Sequence, residues 1–249
     1  VHGQVEPLLA VLDQLRALPD FEQRWIVFIG DFVDRGTDPK ATIDIYLDLA
    51  KQHPRTTAVM GNHELVMGAA LGWLPLPAST DLAQKWIEFY DSESTFESYG
   101  VAHGDLAALS NAIPQAHREW LINLPWVVEH PRCLFVHAGL DPNSPFALQL
   151  RILQQRDFTL NRPPWLCSKT FVDTDPPLDC PVPVASGHVR VPSVQLRPKR
   201  ILCDTSGGTD GPLSCVLLPE RQVISSAGPA QPATFETGGH KSGWWKLWG

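Results

Sequence analysis

Two glycine-framed runs, Gly30-Asp31-Phe32-Val33-Asp34-Arg35-Gly36 and Gly61-Asn62-His63-Glu64, constrain this chain more than any other feature. Each follows an apolar, β-prone stretch, residues 25–29 in the first case and 56–60 in the second. Short runs of that composition ended by Gly, Asp or Asn read as strands entering loops. Between them, residues 38–51 read as a helix, opened by Asp38-Pro39 and carrying Ile43, Tyr46, Leu47 and Ala50 on one apolar face. Strand, helix, strand in that order predicts a parallel pair with a right-handed crossover, which places both loops on one edge of a sheet. In open α/β sheets that edge binds ligands. Hard oxygen donors mixed with imidazole suit a first-row divalent cation, and an arginine beside them suits a phosphate. These residues point to metal-dependent hydrolysis of a phosphate ester.

The remaining pattern extends an α/β reading. Residues 6–18 carry leucines at 8, 9, 12, 15 and 18, a helical stripe with Pro7 in a tolerated first-turn position. Residues 65–123 are mainly helical and read as an insertion, whose Trp73, Trp86, Phe89, Tyr90 and Phe96 either line a cleft or pack the insertion itself. Strands are predicted at 126–129 and 132–136. A Pro-rich loop at 162–183 precedes further strands at 184–186, 200–203, 213–218 and 222–225, which read as a second sheet stacked on the first. One domain is expected over 1–225, followed at 226–249 by a Gly/Pro-rich linker and a tail ending Trp244-Trp245-Lys246-Leu247-Trp248.

Composition narrows the function classes. At 249 residues, 43% hydrophobic and 19% charged, the chain has the profile of a globular protein with one large core. A net charge of −7 offers no basic footprint, so no nucleic acid partner is expected. No apolar run reaches the roughly 20 residues of a membrane span, so no membrane partner is expected either. The five cysteines form no CxxC pair; Cys133, Cys203 and Cys215 fall in apolar strand-like runs and read as core residues. A reducing, cytoplasmic setting follows.

With Val1-His2-Gly3 in front, His137-Ala138-Gly139 behind and Ser186-Gly187-His188 further on, the two runs resemble the phosphoprotein phosphatase branch of the calcineurin-like metallophosphoesterases, in particular its bacterial-type serine/threonine phosphatases. The resemblance spans roughly residues 1–225. It implies a four-layer α/β/β/α sandwich with two mixed sheets. The family's first motif is Gly-Asp-x-His-Gly, which this sequence enters at the x, so a preceding strand and an aspartate ligand are expected upstream of Val1.

The resemblance also implies two divalent cations, with Asp31 bridging them, His2 at the first, and Asn62, His137 and His188 at the second. Asp34 would orient His63, which protonates the leaving group. Arg35 would clamp the phosphate, with Asn62 beside it and Arg156 as a second arginine; Arg151 is its rival. Glu64 is expected to anchor its loop rather than to act in catalysis. Mixed oxygen and nitrogen donors without thiolate argue against calcium and fit Mn, Fe or Zn, with Mn the usual choice in vitro. The implied reaction is hydrolysis of phosphomonoesters, phosphoserine or phosphothreonine in proteins above all, by direct attack of a metal-bound hydroxide. Symmetrical hydrolysis of diadenosine tetraphosphate is a close alternative, because bacterial enzymes of that kind carry the same motifs. A non-catalytic scaffold is a third reading.

Overall fold

Helix α1 (Val5–Arg16) buries Leu8, Val11, Leu12 and Leu15, the face marked by the leucine spacing. This computed structural model describes residues 1–76, 81–160 and 162–229. Strand β1 (Ile26–Phe28) pairs in parallel with β2 (Thr56–Ala58), Val27 lying opposite Thr57. The crossover between them is α2 (Pro39–Gln52). Asp38 caps it, its side chain accepting the Ala41 N–H at 2.9 Å, and Pro39 in the first turn gives up no needed donor.

The helical insertion is present, and it starts earlier than the pattern suggests. Helix α3 (Asn62–Ala70) begins inside the second glycine-framed run, so Asn62 and His63 occupy its first turn rather than a loop. Four further helices follow: α4 (Leu82–Phe89), α5 (Glu93–Ser98), α6 (Leu106–Ala112) and α7 (Gln115–Asn123). After them come β3 (Val127–His130) and β4 (Cys133–Val136), an antiparallel pair at the predicted positions.

The late strands do not form a single sheet. Strands β5 (Val184–Ser186) and β7 (Arg200–Leu202) join β4 in parallel, and β6 (Gln195–Leu196) closes the far edge, giving a five-stranded mixed sheet in the order β3-β4-β5-β7-β6. Strands β8 (Ser214–Leu217), β9 (Gln222–Ser225) and β10 (Gly228–Pro229) form a separate antiparallel sheet. The division follows from pairing partners: Val184 lies opposite Leu134, whereas Cys215 lies opposite Ile224. Helices α8 (Phe146–Gln155) and α9 (Pro164–Cys167) fill the connection from β4 to β5. Strand β10 uses residues of the expected linker; residues 230–249, including the Trp-rich tail, lie outside the described residues.

One large apolar cluster joins α1, α2, the insertion and β4, and it reaches into the first glycine-framed run. Phe32, fully buried, meets Phe28, Tyr46 of α2 and Trp120 of α7 at ring separations of 5.3, 5.3 and 4.9 Å. The tilted and edge-on geometries are those aromatic pairs favour. Phe32 thus ties the loop to two helices. Phe32→Ala is expected to cost about 3–5 kcal/mol of stability, read as a lower urea midpoint with unchanged slope.

Candidate metal and phosphate site

The proposed ligands leave the sheets at matching places. Asp31 follows β1, Asn62 follows β2, His137 follows β4 and His188 follows β5. All four lie just beyond the carboxyl ends of mutually parallel or sheet-linked strands, and the structure brings them together with His2. Two donor sets share Asp31: His2, Asp31 and His63 in one, Asp31, His137 and His188 in the other, each with ligand atoms within 4.8 Å of one another. Asn62 belongs to the second set, its Oδ1 lying 3.1 Å from His137 Nε2 and 2.8 Å from His188 Nδ1.

A buried carboxylate fixes this geometry. Glu64 is fully buried, and its two oxygens accept four backbone N–H groups, those of Asp31 at 2.8 Å, Phe32 at 2.7 Å, Val33 at 3.2 Å and Gly61 at 3.0 Å. It therefore stitches the two loops together, as the sequence suggested. The loops also need glycine where they touch: a Cβ on Gly61 would run into the Asp31 carboxylate. Among the described residues, five of the eight non-glycine positions with positive φ are His2, Asp31, Asp34, Arg35 and His188. Such backbone strain gathers at functional sites because surrounding contacts must hold it.

The donor chemistry fits cations. His2 Nδ1–H donates to the Val33 carbonyl at 2.8 Å and His137 Nδ1–H to the Ile29 carbonyl at 2.7 Å. In the neutral tautomers this leaves each Nε2 as a lone pair facing Asp31 Oδ2, at 3.4 and 3.1 Å. Two acceptors at that distance repel unless a proton or a metal ion sits between them. Metal-binding histidines characteristically give their other ring N–H to a backbone carbonyl or a carboxylate, which fixes the tautomer, and both imidazoles do so here. Burial holds His2 down to about 4 and His188 to about 3, each also opposed by a neighbouring imidazole, so both are neutral near pH 7 and free to ligate. For His137 burial pulls downward, but the Asp31 carboxylate outweighs it and raises the pKa. The Asp31 carboxyl, despite burial, is held well below its usual range by His137 and His63.

Asp34 and His63 form a second unit. His63 Nδ1 lies 2.7 Å from Asp34 Oδ2, with both side chains buried. Asp34 also accepts the Trp86 indole N–H at 2.9 Å and the Thr95 hydroxyl at 2.6 Å. Trp86 and Thr95 come from α4 and α5, so the insertion reaches into the site through its polar atoms. Of the five aromatics considered as cleft lining, Trp86 and Phe96 are fully buried, Trp73 donates to Ser110, and Phe89 faces solvent. Tyr90 also stands against the site, its ring 4.9 Å from that of His63.

Arg35 reaches the first donor set. Its Nη1 donates to the Gly207 carbonyl at 2.7 Å and lies 3.3 Å from His2 Nε2. The Gly207-Gly208 turn makes this close approach possible, since a Cβ on Gly208, at φ 74°, would strike the His2 ring.

Arg156 is not brought to the cluster. It ends α8 in a left-handed conformation, and its Nη1 donates to the carbonyls of Ile122 and Leu124 at 2.7 and 3.2 Å while its guanidinium lies over Phe158. The expected second arginine is thus engaged in holding the insertion's end. Arg162 is the better placed cation: its charge is felt at the Cys167 thiol and at Tyr90, whose ring stands against His63. Sequence reasoning passed over it because it sits in a Pro-rich loop, although its place between His137 and His188 was a usable signal.

Comparison with known proteins identifies the family. The calcineurin-like phosphoesterase family profile matches residues 1–205. The symmetrical bis(5'-nucleosyl)-tetraphosphatase of Photobacterium profundum is 26% identical over 179 residues, 69% of this chain and 54% of that protein. The serine/threonine-protein phosphatase SIT4 of Candida albicans is 39% identical over 66 residues, 26% of this chain and 21% of that protein. The chain therefore spans about half the length of the first of these relatives and less of the second. Among solved structures, a protein provisionally assigned as a diadenosine tetraphosphatase superposes with a TM-score of 0.55 at 22% identity over 90% of both chains, a likeness of fold. The chain belongs to the calcineurin-like phosphoesterase family.

Proposed function

We propose that this chain is a dinuclear metal-dependent phosphatase that hydrolyses phosphomonoesters, with phosphoserine and phosphothreonine in proteins as the substrate class. The observation that carries this reading is the convergence on Asp31 of two donor sets, beside an Asp34–His63 pair and the Arg35 guanidinium. His2 and Asp31 would hold one cation, and Asp31, Asn62, His137 and His188 the other. Mn, Fe and Zn match these nitrogen and oxygen donors. Bound there, the cations would supply Lewis acidity to the phosphoryl oxygens and a lowered pKa for water.

The chain's own residues supply the rest. Asp34, held by Trp86 and Thr95, takes the Nδ1 proton of His63 in a hydrogen bond and so fixes which ring nitrogen faces the substrate. His63 Nε2 can then give a proton to the departing oxygen. Arg35 offers two parallel N–H groups to the transferring phosphoryl group once it swings from the Gly207 carbonyl. A recess of about 460 Å³ beside Arg35 would receive the leaving group.

That recess favours a monoester. Its walls include the carboxylates of Glu6 and Asp91, and Arg35 is the only cationic residue among the described residues that line it. A tetraphosphate bridge would bring further negative charge against those carboxylates. Symmetrical cleavage of diadenosine tetraphosphate is the second reading, favoured by the similarity to the Photobacterium protein. Turnover of a phosphoserine peptide and of diadenosine tetraphosphate, measured side by side with added Mn²⁺, decides between them. A larger kcat/KM for the peptide supports the proposal, the reverse order supports the dinucleotide, and no turnover of either with cations bound leaves a scaffold.

Three outcomes follow from the chemistry. His63→Asn should lower kcat for an alkyl phosphate by about 10²–10⁴-fold while sparing p-nitrophenyl phosphate, whose leaving group needs no proton. Trp86→Phe keeps one aromatic ring, removes the N–H given to Asp34 and leaves a small cavity; it should cost about 2–4 kcal/mol in stability and lower kcat with little change in KM. The His137 proton must leave before a cation binds, because its pKa is raised, whereas His2 and His188 are already neutral. Cation affinity should therefore grow as pH rises above the ordinary histidine range, with proton release seen by calorimetry in two buffers; affinity flat with pH would contradict the assignment of His137.

A further inference from the structure

One charged side chain is buried where the packing gives it no evident place. Arg200, the first residue of β7, is only 1% exposed. In register it lies opposite Val184 of β5, which lies opposite Leu134 of β4. Val184 and Leu134 are buried aliphatic residues, the kind such a row normally holds. Burial draws the Arg200 pKa down to about 10, which leaves the guanidinium charged near neutral pH. Asp175 favours that charge through space, without a hydrogen bond to it among the described residues. Taking a charge out of water costs free energy that an aliphatic side chain would not.

The guanidinium meets the turn that carries His137. Its Nη2 donates to the Ala138 carbonyl at 2.7 Å and to the Phe171 carbonyl at 3.3 Å. Gly139, at φ 130°, continues the turn, and a Cβ there would strike both terminal nitrogens of Arg200. Glycine is what lets the guanidinium lie so close. The turn's other backbone groups are engaged as well. The His137 carbonyl accepts the Gly187 N–H at 2.9 Å, and the Ala138 N–H donates to the Trp165 carbonyl at 2.8 Å. Gly187 precedes His188, so one segment joins both histidines of the second donor set. The Ile29 carbonyl orients the His137 ring, while Arg200 holds the peptide behind it. A bond to a charged donor is stronger than a neutral one, and its loss would free that peptide plane to rotate. The first donor set is held otherwise. His2 bonds Val33 through its ring and Asp31 through its backbone N–H, and Gly3 bonds Phe32.

We propose that Arg200 is a positioning residue for one of the two cation sites. It holds the His137 turn in place beside Asp31, and so sets cation affinity at Asn62, His137 and His188 without touching the cation. The inference rests on the dinuclear reading proposed above. An arginine that only supported the fold would serve both donor sets alike.

The test is Mn²⁺ binding by the full chain, followed by calorimetry without substrate. Two binding steps are assigned with His2→Ala and His188→Ala, each of which removes a ligand from one set. In Arg200→Met the step that His188→Ala removes should weaken by about 10–100-fold, the usual scale when a group orienting a metal ligand is lost. The other step should stay as it is. Arg200→Lys keeps a charged donor and should lie between the wild type and Arg200→Met. Equal weakening of both steps, unchanged binding at both, or Arg200→Lys no better than Arg200→Met would overturn the proposal. Should urea unfolding show that Arg200→Met does not fold, Arg200→Lys decides alone. Weakening confined to the step that His188→Ala removes then supports the proposal, and any other pattern overturns it. A wild type without a second Mn²⁺ step would end the dinuclear reading and this inference with it. Two steps that respond alike to Arg200 would refute this inference only.

Discussion

Glu64 is the interaction on which the rest of the site depends. One buried carboxylate takes four backbone N–H groups from the two loops that follow β1 and β2. Each such bond to an ionised acceptor is strong, and removing the acceptor would leave four buried donors without partners. Because Glu64 holds the backbone of Asp31, it sets where the Asp31 side chain points. The positive φ of Asp31 is held by that bond, while Asp34 and Arg35, also at positive φ, give their N–H groups to Thr95 and to the Asp91 carbonyl. The proposed catalytic groups thus take their positions from a buried carboxylate bonded to backbone N–H groups.

Around that anchor, the fold separates support from reaction. Carbonyls of the segment that follows β1, Ile29 and Val33, orient the imidazoles of His137 and His2. The helical insertion orients the other unit, with Trp86 and Thr95 bonding Asp34, and Phe32 and Trp120 packing the same loop from below. Two parts of the chain far apart in sequence therefore constrain one loop from opposite sides. Arginines divide similarly: Arg35 enters the site, whereas Arg156 serves the junction between α7 and β3.

Much of this was legible in the sequence, for reasons tied to particular residues. The β1–α2–β2 unit was clear because Asp38-Pro39 marks a helix start and two apolar runs end in Gly-framed polar residues. The meeting of His2, Asp31, Asn62, His137 and His188 was implied by the likeness of their motifs to the metallophosphoesterases, and the place of Asp31, Asn62, His137 and His188 after strands agreed with it. What stayed hidden depended on tertiary contacts. Nothing local distinguishes Trp86, which bonds Asp34, from Trp73, which bonds Ser110. Helix α8 was obscured because its buried positions include Gln149, whose side chain bonds Trp165 and the Asp141 backbone instead of presenting an apolar stripe. The split of the late strands was invisible because pairing partners, not composition, decide sheet membership.

The central claim is that Asp31 lies between two cation sites. Anomalous diffraction from crystals soaked in Mn²⁺ tests it most directly. The account predicts two peaks about 3.5–4 Å apart, one reached by His2 and the other by Asn62, His137 and His188, with an Asp31 oxygen between them. A single peak, or two peaks that leave Asp31 outside their ligand shells, would contradict it.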